Sequence, residues 1–146
     1  MKIKNVLRDK SRNAIYSVTP ETTVLDALKQ MAEKNIGAVL VLEEGRLAGI
    51  FSERDYARKG ILQGRASSQT LIKEVMTSKL ITVTSEQKLE EAMVIMSEKH
   101  IRHLPVVDEG ELIGIISIND VVTSIIKDQK VRIESLESYI SGNPYA

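Results

Sequence analysis

The sequence predicts an α+β fold: two pseudo-symmetric β-α-β-β-α repeats packed as one domain. Three observations predict it. Residues 17–55 recur as residues 82–120 at a fixed offset of 65 without a gap, and 16 of 39 aligned positions are identical, among them Val18/Val83, Glu21/Glu86, Ala27/Ala92, Met31/Met96, Gly45/Gly110, Gly49/Gly114, Ser52/Ser117 and Asp55/Asp120. Each copy carries an apolar stripe of helical period. Each then has two short apolar runs parted by a glycine turn. The usual solenoid repeats run to about 50 residues, and here a longer unit occurs only twice, so the reading is a pair within one globular unit, with function between the copies.

The elements follow in order. A short strand is expected over 15–19, and Thr22 or Thr23 then caps a helix whose Val24, Ala27, Leu28 and Met31 fall at i, i+3, i+4 and i+7. In the second copy the strand falls over 81–84 and the stripe is Leu89, Ala92, Met93 and Met96. Methionine on such a stripe is read as core. The apolar runs 38–42 and 47–51, parted by Glu43-Glu44-Gly45-Arg46, make a hairpin, as do 104–107 and 112–116, parted by Asp108-Glu109-Gly110-Glu111. Glycine offers the positive φ that such tight turns need. A helix follows each hairpin, over 53–59 and 118–126.

The boundaries are therefore 1–62 for the first repeat with its N-terminal lead-in, 63–76 for the linker and the lead-in to the second repeat, 77–127 for the second repeat, and 128–146 for a C-terminal helix and tail. Leu71-Ile72-Lys73-Glu74-Val75-Met76 resembles the Val6-Leu7 stretch before the first copy. At the far end Ile126, Ile133, Leu136 and Ile140 are spaced seven, three and four apart, a helical stripe closed by Ser141-Gly142-Asn143-Pro144. The expectation is that it covers the protein's own core; pairing between subunits is the alternative.

With 146 residues, 42% of them hydrophobic, the chain can bury a real core. Lys plus Arg and Asp plus Glu number 20 each, so no global field draws it to nucleic acid or an anionic membrane, and any anion site must be local. Cysteine is absent, which removes disulfides, thiolate catalysis and cysteine zinc sites. No secretory leader or apolar span is evident, and a cytoplasmic location is expected.

Both copies end in Gly-x-x-Ser-x-x-Asp, Gly49 to Asp55 and Gly114 to Asp120. At a helix start, Ser followed three residues later by Asp is close to a capping box, stabilising by about 0.5 to 2 kcal/mol. The same geometry offers free N–H groups and a partial positive charge to a phosphate, with Ser on the phosphate and Asp on a ribose diol. Arg54, Arg58, Arg102 and His103 add donors near these termini. His100 and His103, the only histidines, are too few for a zinc site without cysteine. A hydrolytic triad is not expected, because Ser and Asp come twice and no base comes with each. The GxGxxG and GxxxxGK[ST] fingerprints are missing.

Val18-Thr19-Pro20, the stripe helix, Val75-Met76-Thr77, Leu104-Pro105-Val106-Val107-Asp108 and Gly114-Ile115-Ile116-Ser117-Ile118-Asn119-Asp120 together resemble a tandem pair of CBS domains, the Bateman module. The stretch Phe51 to Arg58 is similar to stand-alone pairs with no enzyme attached. The resemblance implies a regulatory fold without catalytic activity, two clefts that bind adenosyl ligands such as AMP, ADP, ATP, NAD(H) or S-adenosylmethionine, and a disc-like homodimer. It implies that Ser117, Asn119 and Asp120 hold ribose and phosphate in one cleft with Ile36, Gly37 and Ala38 near the base. The other would set Ser52, Arg54, Asp55 and Arg58 with Thr77 and with Ile101, Arg102 and His103. Leu40 stands where the second copy has Pro105, and Gly37-Ala38 where it has Arg102-His103, so unequal affinities are expected.

Three functions compete. The first is a ligand sensor that passes a conformational change to a protein partner; only a ligand that favours one state can shift that equilibrium. The second is a constitutive dimeric scaffold with empty clefts. The third, nucleic-acid binding through Arg54, Arg58, Arg65 and Arg102, is opposed by zero net charge and a lone Phe.

Overall fold

The structure, a computed structural model, describes residues 1–9 and 15–141. In chain order the elements are α1 (Ile3–Asp9), β1 (Ser17–Val18), α2 (Val24–Lys34), β2 (Ala38–Glu43), β3 (Arg46–Ser52), α3 (Glu53–Asp55), α4 (Ile72–Val75), α5 (Leu89–Lys99), β4 (His103–Asp108), β5 (Glu111–Ser117) and α6 (Ile118–Ser141). They gather into two compact units: Met1–Asn13 with Thr84–Leu104 and Ile115–Ala146, and Ala14–Val83 with Pro105–Gly114.

In the unit built on the first copy, β1 runs parallel to β2, pairing Ser17 with Leu40 and Val18 with Val41, and β3 returns antiparallel from Arg46 opposite Glu43 to Ser52 opposite Ala38. The parallel step needs a crossover, which α2 supplies. Thr23 caps α2 by accepting from the Asp26 N–H at 3.2 Å, and Asn35, at φ 54°, closes it in the left-handed region. Val24, Ala27 and Met31 pack with Val18, Val39, Val41 and Phe51, so the stripe is core, methionine included.

The lead-in helices explain why the units are not simply the two halves of the chain. Ile3-Lys4-Asn5-Val6-Leu7 and Ile72-Lys73-Glu74-Val75-Met76 correspond at an offset of 69, and each helix docks on the other copy. Ile72 N–H donates to Thr22 O at 2.8 Å and Lys73 N–H to Pro20 O at 3.0 Å, while Ile3 N–H donates to Gln87 O and Lys4 N–H to Ser85 O, both at 2.9 Å. Reciprocally, Val24 N–H donates to Thr70 O at 2.8 Å and Leu89 N–H to Met1 O at 3.0 Å, which occupies a free donor at each stripe helix's N-terminus. Ile72 and Val75 close the first copy's core, and Ile3 and Val6 are equally buried in the other unit.

Both hairpins turn on two residues with positive φ, Glu44 at 51° with Gly45 at 78°, and Glu109 at 49° with Gly110 at 81°. That is the type I′ pattern, whose twist matches the strands it joins. Glycine carries its half without strain; each glutamate occupies a region few such residues visit.

The structure departs from expectation in three places. The strands opening each copy shrink to the two residues of β1 and to one bridge between Val83 and Val106. The first copy's closing helix is α-helical only over α3, then widens into a π-helical turn, Tyr56–Gly60, and ends in a 3₁₀ turn, Ile61–Gln63. The C-terminal stripe does not cover the protein's own core. Helix α6 runs 24 residues, about 36 Å, and from Ile126 onward its apolar side chains meet solvent: Ile126 is 59% exposed, Ile133 57%, Leu136 61% and Ile140 76%. The expected Gly142-Asn143-Pro144 terminator lies outside the described residues. Among the described residues no helix is long and apolar enough to cross a membrane.

Candidate functional site

Two serine–aspartate turns, one per copy, hold the candidate chemistry. In the first copy Ser52 ends β3 in extended conformation and caps α3 reciprocally: its hydroxyl accepts from the Asp55 N–H at 3.2 Å, and its own N–H donates to Asp55 Oδ2 at 3.0 Å. The Ser52 hydroxyl also donates to Oδ2 at 3.1 Å. On the other carboxylate oxygen, Oδ1, Thr77 Oγ1 donates at 3.0 Å and Lys59 Nζ stands at 3.3 Å. Lys59 also donates to Thr77 Oγ1 at 3.3 Å. Two donors on each oxygen fill the four acceptor positions of a carboxylate. Asp55 is 8% exposed, so burial without these partners would be costly.

Thr77 reaches Asp55 because the chain leaving α4 pairs with β3: Ile50 N–H donates to Thr77 O at 3.0 Å and Thr77 N–H to Ile50 O at 2.8 Å. The approach requires glycine at position 49, where an added Cβ would stand 2.8 Å from Met76 Sδ and 2.9 Å from Thr77 O. The π-helical turn follows at once and carries Lys59 one turn beyond Asp55. Such widened turns concentrate at functional sites.

The second turn repeats the cap. Asp120 N–H donates to Ser117 Oγ at 3.1 Å and Ser117 N–H to Asp120 Oδ2 at 2.8 Å. In each copy the segment before the hairpin also touches the helix start: Glu53 N–H donates to Gly37 O at 3.1 Å and Ile118 N–H to Arg102 O at 2.9 Å.

Of the residues singled out in the sequence, Ser52, Arg54, Asp55, Arg58, Thr77, Ile36, Gly37 and Ala38 belong to one unit, and Ile101, Arg102, His103, Ser117, Asn119 and Asp120 to the other. Arg54, Arg58, Arg102 and Asn119 are exposed; Ile36, Gly37, Thr77, Ile101, His103 and Ser117 are half-buried and Ala38 is buried. His100 is the left-handed C-cap of α5, at φ 54°. Among the described residues no cluster of three or more His, Cys, Asp or Glu could hold a metal ion. Sequence reasoning passed over Lys59; its signal was the spacing of four from Asp55 on one helix face.

The CBS domain family matches this chain twice, over residues 4–60 and 72–127. The chain belongs to the CBS-domain family. Among its relatives, the mitochondrial CBS domain-containing protein CBSX3 of Arabidopsis thaliana is 42% identical over 96% of this chain and 72% of its own length. The CBS domain-containing protein YhcV of Bacillus subtilis is 32% identical over 84% of this chain and 87% of its own. A solved CBS-domain protein from Burkholderia ambifaria superposes with a TM-score of 0.85 at 49% identity, covering 88% of this chain and 96% of that one. A CBS domain pair solved with 5′-methylthioadenosine and S-adenosylmethionine shares the fold, with a TM-score of 0.76 at 24% identity over 88% of this chain and 98% of that one. The fold is thus the α+β pair of repeats expected from the sequence, and it is the CBS pair that the chain resembles. CBS-domain proteins are generally regulatory and not catalytic.

Proposed function

We propose that this CBS pair is a ligand-sensing regulatory module whose two Ser-x-x-Asp turns bind adenosyl nucleotides and whose response is passed to a protein partner. The observation that carries the reading is the pair of turns itself, one in each copy, of which the first has a second hydroxyl, Thr77, on its carboxylate. A ribose diol needs such an acceptor, and a phosphate needs the hydroxyl and N–H groups of the helix start. That a CBS pair of this fold holds 5′-methylthioadenosine and S-adenosylmethionine supports an adenosyl ligand; AMP, ADP, ATP and NAD(H) meet the same needs. Ser117, Asn119 and Asp120 would serve one ligand. Ser52, Arg54, Asp55, Arg58 and Thr77 would serve another. A homodimer acting in the cytoplasm is part of the same reading.

A diol can reach Asp55 only by displacing one of its donors. Thr77 is fixed by two backbone hydrogen bonds to Ile50, whereas Lys59 is 46% exposed on a flexible stem, so Lys59 is the group that leaves. Once displaced, its ammonium is available to the ligand's phosphate. Calorimetric titration with S-adenosylmethionine, 5′-methylthioadenosine, AMP, ATP and NADH, repeated on Asp55→Ala and Asp120→Ala, tests the proposal. Micromolar binding lost in a folded variant supports it. Silence from all five compounds leaves the turns as helix caps and favours the scaffold reading, for which the exposed apolar face of α6 is the supporting observation.

A further inference from the structure

We propose that the last four turns of α6 pair in parallel with the same segment of a second copy, as a short two-stranded coiled coil. Independently of any ligand, the argument begins with stability. From Ile126 to Ile140 the helix is exposed on nearly every side. A helix of about 12 to 15 residues is marginal in water, and most helical stability in proteins comes from packing an apolar face. Four exposed aliphatic side chains on one face of such a segment lack the packing that would hold it.

Their spacing chooses the occupant. With Ile126 at position a of a heptad, Ile133 and Ile140 are also a, and Gln129 and Leu136 are d. Isoleucine at a with leucine at d favours two parallel strands. A parallel pair sets Gln129 against its own counterpart, where two amides can bond each other; an antiparallel pair would set it against Ile140. Charge agrees: Arg132 falls at g and Glu137 at the following e, the positions that meet between parallel chains, so a dimer gains two symmetric ion pairs. Arg132 meets Asp128 in the single chain at 3.2 Å, an exposed pair weak enough to exchange.

Sedimentation equilibrium of the full chain tests the surface. The native chain should dimerise, and Ile133→Glu should raise the dissociation constant at least about tenfold. Arg132→Glu should weaken the dimer and Arg132→Glu with Glu137→Arg restore it. Because the chain has no cysteine, a single introduced one reports the geometry. Oxidised Leu136→Cys should cross-link to its counterpart, and Ser135→Cys, on the outer face, should not. These side chains lie outside the buried core, so thermal melting should show the variants folded. A monomeric native chain overturns the proposal, as does a dimer indifferent to Ile133→Glu. So does Leu136→Cys that fails to cross-link or links no faster than Ser135→Cys, the pattern an antiparallel pair or a different partner would give.

Discussion

The two Ser-x-x-Asp turns share a backbone and differ in what surrounds it. Asp55 receives a cation from Lys59, four residues on, and a hydroxyl from Thr77, in the other copy's lead-in. At the positions equivalent to these, the second copy has Ser124, a buried hydroxyl, and, counting from the lead-in helix, Arg8, a cation. Hydroxyl and cation have changed places. The helices differ in the same way: the first breaks into a π-helical turn directly after Asp55, and the second runs on unbroken for 24 residues. Duplication kept the cap, which is cheap and local, and left free the residues one turn away that set charge and shape around it.

The hardest test of the contrast is Gly49→Ala. The new methyl meets the backbone oxygen of Thr77, which cannot swing aside as Met76 can, so the pairing of Thr77 with Ile50 must open. Overpacking of this kind costs typically 1 to 3 kcal/mol, and about 3 is expected here. Thermal or urea unfolding measures it. Gly45→Ala, where there is open space but φ is 78°, should cost less, about 1 to 2 kcal/mol from the left-handed conformation alone. Equal losses would mean that the Thr77 strand is not held by its approach to Gly49.

Asp55→Ala should come next. It leaves the Ser52 N–H and the Thr77 hydroxyl without their acceptor in a largely buried place, at a cost of about 2 kcal/mol. Lys59→Met should cost less than about 1 kcal/mol, because the lysine end of the pair is exposed and Ser52 and Thr77 still donate to the carboxylate. Its informative effect is on binding: with Asp55 no longer blocked, a nucleoside without phosphate should bind more tightly and a triphosphate gain less. Calorimetry on adenosine and ATP separates the two, and equal changes for both would show that Lys59 neither blocks the carboxylate nor meets the phosphate.

What could be read from the sequence was whatever recurs at fixed spacing. The stripe Val24, Ala27 and Met31, the glycine of each hairpin and the paired caps all repeat, and each repetition excludes accident. The exchange of lead-in helices was hidden because IKNVL and IKEVM correspond at an offset of 69, four more than the rest of the repeat, and because a helix docked from a distant part of the chain leaves no mark on local spacing. The π-helical turn has no periodic signature of its own. The face of α6 is the most instructive miss: spacings of seven, three and four say that one face is apolar, and nothing in them says whether that face meets its own core or another molecule.

The smallest expected effect concerns the one glutamate kept at the start of both copies. Glu21 meets Lys73 at 3.0 Å, and its repeat, Glu86, meets Lys2 at 2.7 Å and Lys4 at 3.1 Å. Hydrogen bonds from Lys2 and then Lys4, with their positive charges, hold the Glu86 carboxyl below the ordinary glutamate value. A carboxyl depressed in the folded state stabilises fully above its unfolded value and loses that contribution as pH falls through the folded one. The pairs are exposed and screened, so Glu86→Gln should lower the melting temperature only slightly at neutral pH, and less in high salt. The difference from the native chain should vanish in acid, below the glutamate range. Glu21→Gln, which loses a single lysine, should do less still. A deficit of Glu86→Gln that persisted unchanged into acid would show that position 86 acts through packing, and that the second lysine of this copy adds nothing to the pair its counterpart already makes.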